Sequence, residues 1–257
     1  MVPSTFIPKC FSTSHTITRS DIVFATRWGT SLKLPNLYPF EGCLADQLSS
    51  TLHFSLPPSS DPICIFPNFE TAEILQTLQT ISVTIDNPDL TVQDKKLLNE
   101  ALYHTEYRLL SLELGQSNPA AETKIATSSQ DIMLLELSHA FTIAALLYLQ
   151  IVIRELPTMS KVYHRLASIL DGFGRKYDEL RDEDDSLENG YIDVALWIMF
   201  MRTVATPGRE NEVWNGKMED LGEKERGIDW LRERLTRVAW RERICEGLLE
   251  GVWREML

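Results

Sequence analysis

Asp131 to Pro157 reads DIMLLELSHAFTIAALLYLQIVIRELP, and this stretch decides the fold. From Leu137 to Ile153 it contains no Asp, Glu, Lys or Arg, and apolar residues fall on every side of a helical wheel. Such a helix needs cover on all sides, so it is predicted to be the central helix of a bundle. A membrane span needs about 20 mostly apolar residues. This run is slightly short and is flanked by Glu136 and Arg154, which favours burial among other helices.

Two helices are predicted before this central helix. Asn68 is a plausible N-cap, and apolar residues at one-face spacing follow it until Asn87-Pro88 ends the helix. The second helix is predicted from about Val92 to Leu114, with Glu106 lying off its apolar stripe. The stretch 115–130 has a loop composition and connects this helix to the central one.

After the central helix, Pro157 acts as a stop and Thr158 or Ser160 can cap the next helix, which keeps helical spacing as far as Leu180. The acidic run Arg181 to Gly190 is predicted to be a solvated linker. A second helix that is apolar nearly all round is predicted from Asp193 to Thr206.

The last part of the chain is predicted to be helical and amphipathic. A short helix opens near Asn211, and Ile228 to Leu257 forms one long or two consecutive helices. Arginine and glutamate alternate at 232–234 and again at 241–243, a pattern typical of an exposed helix face. Each of Trp230, Trp240 and Trp253 is expected to be a core residue rather than a contact residue.

Residues 1–61 differ from the rest because prolines and Ser/Thr clusters interrupt them, which predicts an irregular or partly disordered segment with one short helix between Gly42 and Leu56. Residues 62–257 are predicted to be one α-helical domain. No run alternates as a strand requires. The expected fold is therefore all-α, a multi-helix bundle of antiparallel helices after a poorly regular N-terminal segment.

Composition limits the function. A net charge of -12 argues against direct nucleic acid binding, which relies on clustered Lys and Arg. The cysteines, Cys10, Cys43, Cys64 and Cys245, are too far apart to suggest a zinc site or a disulfide scaffold. No two histidines stand at the i, i+4 spacing of a helical metal site. We therefore assign no catalytic, cofactor-binding or metal-binding residue, and expect no cofactor and no enzyme activity.

One enzymatic alternative stays open. Asp184, Asp185 and Glu188 have the letters of the magnesium-binding motif of all-α enzymes that ionise prenyl diphosphates, and the stretch 211–219 distantly resembles the second motif of terpene synthases. The acidic residues of 182–188 stand beside Asn189-Gly190, where a turn is expected. The alternative is therefore a small magnesium-dependent enzyme of terpene synthase type.

The order of motifs along the chain resembles a known family. Phe141 to Leu149, followed by Arg154-Glu-Leu-Pro157, is similar to a signature of the fungal-specific transcription factor domain, the regulatory region of Zn2Cys6 activators. The helix from Leu196 to Ala205 resembles the family's next motif, and the end of the chain from Trp230 to Trp253 resembles its tryptophan-bearing end. The resemblance covers about 74–257.

The resemblance implies a nuclear, non-DNA-binding regulatory domain that works through protein contacts. Its expected partners are proteins of the transcription machinery or related transcription factors. The chain could form homo- or hetero-oligomers, and no membrane association is expected. The family's zinc cluster needs six closely spaced cysteines, which this chain lacks. The chain is thus expected to be a truncated gene product or a module that acts without its own DNA-binding part. It could also sequester full-length relatives through its amphipathic C-terminal helices.

Overall fold

The computed structural model describes Leu48, Phe66 and residues 68–115, 129–157, 161–181, 189–206 and 227–256, and all regular structure in these residues is helical. The helices are α1 Phe69–Thr84, α2 Val92–Gly115, α3 Ser129–Tyr148, α4 Lys161–Arg181, α5 Asn189–Ala205, α6 Gly227–Thr236 and α7 Glu242–Met256. A π turn, Leu149–Ile153, continues α3. The predicted all-α bundle is confirmed.

The first two helices begin where their capping residues predict. The Asn68 side chain accepts a hydrogen bond of 2.9 Å from the backbone N–H of Glu70, which caps α1. Thr91 and Asp94 cap α2 reciprocally, because each side chain accepts from the other's backbone N–H. Helix α1 ends in a turn before Asn87-Pro88, as predicted.

Helix α3 is the centre of the bundle. It packs against α1, α2, α4 and α5, and every residue from Ala140 to Leu149 is buried. The stretch Asp131–Ile153 is long and apolar enough to cross a membrane by length and composition, and 72% of its most apolar window is buried inside the fold. That burial is the property expected of a core helix, because the other helices take the place that lipid would occupy.

Helix α5 is the second core helix and carries the end of the chain. It packs against α3 and α4 on one side and against α6 and α7 on the other. Ile228 onward forms two helices rather than one, separated by residues 237–241. Trp240 is buried as expected, while Trp230 and Trp253 are half-buried against the core.

Two predictions about boundaries change. The linker predicted over Arg181 to Gly190 is shorter, because Arg181 ends α4 and Asn189 begins α5, four residues before the predicted start at Asp193. Helix α5 therefore extends through the turn-like Asn189-Gly190. Of the predicted 1–61 segment only Leu48 is described; it is helical and fully buried, in agreement with the short helix predicted there. The domain boundary at 61/62, the caps Thr158 and Ser160, and the helix near Asn211 lie outside the described residues.

Candidate functional site at the Arg241 junction

The residues of the enzymatic alternative cannot be placed, because 182–188 and 211–219 lie outside the described residues. Within the described residues, no group of three or more His, Cys, Asp or Glu side chains could hold a metal ion. Among the described residues, the candidate site is instead a buried arginine with several hydrogen-bond partners. We call the arginine and its partners the Arg241 junction: Arg241, Asp86, Glu155 and the carbonyls of Val152 and Ile153.

Arg241 lies between α6 and α7, at the point where α7 begins. Its backbone carbonyl accepts the first hydrogen bonds of that helix, from the N–H of Ile244 at 3.1 Å and of Cys245 at 2.9 Å. The side chain is only 4% exposed. A guanidinium this deep needs acceptors for all of its five N–H groups, because a buried charge without partners costs several kcal/mol, roughly.

The junction supplies those acceptors from two distant segments. Asp86 binds the guanidinium at two points, with Nε to Oδ2 at 3.0 Å and Nη2 to Oδ1 at 2.7 Å. Nη1 donates to the carbonyls of Val152 at 2.7 Å and Ile153 at 3.3 Å. Nη2 also donates to Glu155 at 2.8 Å. Arg241 therefore ties the end of α1 and the end of the π turn to the start of α7.

The π turn makes this arrangement available. Its backbone hydrogen bonds join residues that are further apart in the sequence than those of an α-helix. The N–H of Arg154 donates to the carbonyl of Leu149 at 3.0 Å, and the N–H of Leu156 donates to the carbonyl of Gln150 at 3.0 Å. The carbonyls of Val152 and Ile153 accept hydrogen bonds from the Arg241 side chain. Pro157 has no N–H to offer and ends the segment.

Glu155 has a strained backbone. Its φ of 52° lies in the left-handed region, and among the described residues it is the one non-glycine residue with positive φ. This conformation costs a non-glycine residue about 1 kcal/mol or more. The Glu155 carboxylate faces Arg241 at 2.8 Å and Arg243 at 3.4 Å, so ion pairing offsets the strain.

The electrostatics follow from this geometry. The hydrogen bonds from Arg241 hold the pKa of Asp86 below its usual value of 3.8. Burial raises the pKa of the nearby Cys245 thiol to about 12, so the thiol stays protonated and unreactive. Burial likewise raises the pKa of Tyr148, whose hydroxyl is 2.7 Å from that of Ser82. The ionised groups of the junction are thus paired, and the Cys245 thiol and the Tyr148 hydroxyl near it are neutral.

A second polar cluster lies on the α2 side of the same segment. Glu106 is only 1% exposed and accepts from Arg154 Nη2 at 2.7 Å and from the Gln150 amide. The Arg154 guanidinium also stacks 4.8 Å from the ring centre of Tyr103. Glu106 had been predicted to lie off the buried stripe of α2, and that prediction is wrong. Arg154 neutralises the Glu106 carboxylate inside the fold, and the Gln150 amide adds a hydrogen bond to it.

A third set of contacts fixes the C-terminal helices to α5. Asp193, 3% exposed, pairs with Arg234 at 2.8 Å and with Arg237 at 3.4 Å. One turn further along, the indole N–H of Trp197 donates to the carbonyl of Ala239 at 2.8 Å. The residues that make these contacts from the C-terminal side, Arg234, Arg237 and Ala239, lie just before Arg241 in the sequence.

Sequence reasoning missed the junction. Arg241-Glu242-Arg243 was interpreted as part of an exposed helix face, which is wrong for Arg241 and right for Arg243, whose side chain is 65% exposed. The useful signal was the two buried residues close to Arg241 in the sequence, Trp240 directly before it and Cys245 on the inner face of α7.

Chemically, the junction is a cross-link between segments. Its two carboxylates are committed to guanidinium groups, and Cys245, the one cysteine described, is protonated at neutral pH. Comparison with protein-family models, curated proteins and solved structures found no match.

Proposed function

We propose that this chain is a regulatory helical module of the fungal-specific transcription factor type, which acts in the nucleus through protein contacts and not by catalysis. Its partners would be proteins of the transcription machinery or related transcription factors. The module would bind no nucleic acid itself, in keeping with the net charge of -12.

The observation that carries this proposal is the meeting of the three resembling segments in one core. From the first segment, Phe141 and Tyr148 place their rings 5.7 Å and 5.4 Å from that of Trp197, which belongs to the second. The third segment reaches the same indole through the Ala239 carbonyl. Motifs that occur in family order along the sequence therefore also form one packed unit.

The expected mode of action is the masking and exposure of an activating surface, which the resemblance implies. Masking and exposure would require one part of the bundle to move relative to the rest, and so to break the contacts between the two parts. The Arg241 junction and the Asp193 pairs are such contacts between the C-terminal helices and the rest of the bundle.

The test is a tethering experiment. The full chain is fused to a heterologous DNA-binding domain and expressed with a reporter that carries the matching operator. The expected result is a reporter level at least about fivefold above or below that of the DNA-binding domain alone. Ala144→Asp, which places a carboxylate in the core, is expected to remove the effect at equal protein level. No effect from the wild-type fusion would contradict the proposal.

The enzymatic alternative is tested separately. Purified chain is incubated with prenyl diphosphates and Mg²⁺, and diphosphate release is measured for the wild type, Asp184→Ala and Glu188→Ala. The proposal expects no turnover and no difference between the three proteins. Turnover that depends on Asp184 and Glu188 would replace the regulatory proposal with a magnesium-dependent enzyme.

A further inference from the structure

The C-terminal helix pair, Gly227–Met256, has the construction of a separable unit. It is one contiguous stretch, and of the other helices it packs chiefly against α5. Helix α3, in contrast, is enclosed by four helices. Undocking the pair therefore breaks its contacts with α5 and with the ends of α1 and the π turn but leaves the contacts of α3 with α1, α2, α4 and α5 in place, whereas α3 can be exposed only by taking the bundle apart.

Ion pairs inside the helix pair would hold it together after undocking. Arg232 bonds Glu246 at 2.7 Å and so links α6 to α7. Within α6 the same arginine also pairs with Asp229, and Arg237 pairs with Glu233 at 2.6 Å across the end of the helix. These contacts lie within the helix pair, so they would remain when the pair separates from the rest of the bundle.

Two kinds of contact hold the pair in place: apolar side chains such as Leu235 and Leu249, which are buried in the common core, and ion pairs to carboxylates outside the pair. Arg241, Arg234 and Arg237 each reach carboxylates outside the pair. Two of these carboxylates, Asp86 and Glu155, remain 30% and 43% exposed, so water can solvate them when the arginine leaves. Departure of Arg241 also frees Glu155 from its left-handed backbone conformation.

We infer that the C-terminal helix pair, Gly227–Met256, undocks from α5 as a unit while α1 to α5 stay folded, and that Arg241 is the latch that controls this opening. Opening would uncover Trp197 and Phe200, which contact Ala239 and Trp240 in the closed state. The opening itself does not depend on the proposed function. Only its use, as the step that exposes a regulatory surface, rests on the proposed function.

Cys245 is a built-in reporter of the opening. Its side chain is 0% exposed and lies on α7, and burial raises the pKa of its thiol to about 12. In the undocked pair the thiol meets water and regains its ordinary acidity, so it reacts with N-ethylmaleimide. Mass spectrometry of the peptide that contains Cys245 separates its labelling from that of Cys10, Cys43 and Cys64.

The experiment compares Cys245 labelling with amide hydrogen exchange of α3 in the same full-length chain. In the wild type, the opening constant from Cys245 is expected to exceed that from the slowest α3 amides by at least about 100-fold, because the two report different opening reactions. Equal constants would mean that Cys245 is reached only by global unfolding, and would overturn the inference.

Two substitutions and one control separate the two reactions. Arg241→Gln is expected to speed Cys245 labelling by about 100-fold, whereas Arg254→Gln, on an exposed pair of the same helix, changes it by less than about twofold. Leu109→Ala, on α2, is expected to speed α3 exchange by at least about 30-fold and leave Cys245 labelling within about twofold.

If Leu109→Ala speeds labelling and exchange by the same factor, or if Arg241→Gln leaves labelling unchanged, the latch is contradicted. Arg241→Lys keeps the charge but has only three donors, and is used where Gln unfolds the chain, with a smaller rise of about tenfold expected. The reporter experiment and the labelling experiment are independent, so a silent reporter with rapid labelling rejects only the regulatory use of the opening.

Discussion

The central helix α3 and the Arg241 side chain are both buried, but different forces keep them so. In α3 a run without charge is covered on all sides by apolar side chains, and each large side chain contributes about 1.5–3 kcal/mol through removal from water. At the junction a buried guanidinium is paired with partly exposed carboxylates, and desolvation of the arginine opposes the attraction. The first region supplies stability, and the second determines how the C-terminal helices are positioned.

The largest expected effect is on the apolar side of this comparison. Ala144 is completely buried in α3, so Ala144→Asp places a carboxylate where no partner is available. The expected result is loss of the cooperative thermal transition, measured by circular dichroism. Ile132→Asp, at a position that is 37% exposed on the same helix, is the control and should keep the transition. An Ala144→Asp protein with wild-type melting would contradict the burial of α3.

The next effect concerns the junction itself. Arg241→Gln leaves Asp86 and two carbonyls without their guanidinium donor and leaves Glu155 with Arg243 alone, so it is expected to lower the free energy of unfolding by about 3 kcal/mol, measured by urea denaturation. The figure is at the lower end for a broken buried pair because Asp86 and Glu155 keep some access to water. Arg254→Gln, whose pair with Glu250 is exposed, should cost less than about 0.5 kcal/mol. Equal costs for the two arginines would refute the special role of Arg241.

The position of α3 and the ends of its neighbours could be predicted from the sequence, whereas the Arg241 junction could not. The apolar run at 137–153 fixed the place of α3, and Asn68, Pro88 and Val92 marked the ends of its neighbours, because these signals are local. Arg241 and Glu106 were placed on exposed faces. Whether a charge can be buried depends on its partners, and Asp86 is 155 residues away from Arg241 in the sequence.

The π turn belongs to the same class of features. Nothing in the letters LQIVI distinguishes it from an α-helical turn, and its carbonyls are bound by an arginine 88 and 89 residues later. The left-handed Glu155 is likewise set by contacts with Arg241 and Arg243, since glutamate has no preference for that conformation. Local patterns predict elements, whereas tertiary contacts decide these details.

Acid should weaken the junction more than the core. The pKa of Asp86 lies below 3.8 in the folded chain, so its contribution is fully present above that pH and is lost as the pH falls through the folded value. Asp86→Asn is therefore expected to destabilise the chain clearly at about pH 6 and much less at about pH 2, by urea denaturation at both. The exposed Asp89→Asn is the control. A constant difference between Asp86→Asn and the wild type would contradict the shifted pKa.

The smallest effect separates strain from attraction at Glu155. Glu155→Gly removes an ion pair but also the cost of the left-handed backbone, so the free energy of unfolding should change by less than about 0.5 kcal/mol. Glu155→Ala removes the same ion pair and keeps the strain. It should be about 1 kcal/mol less stable than Glu155→Gly. Equal stability of the two variants would show that the backbone at 155 is unstrained.

The most direct test of the junction is a double-mutant cycle between Arg241 and Asp86, with unfolding free energies from urea denaturation of the wild type, Arg241→Gln, Asp86→Asn and the double variant. Because the two side chains share two hydrogen bonds and the arginine is buried, a coupling energy of about 1–3 kcal/mol is predicted. Effects that add to within about 0.3 kcal/mol would show that the pair does not hold the C-terminal helices to the bundle, and would contradict the account.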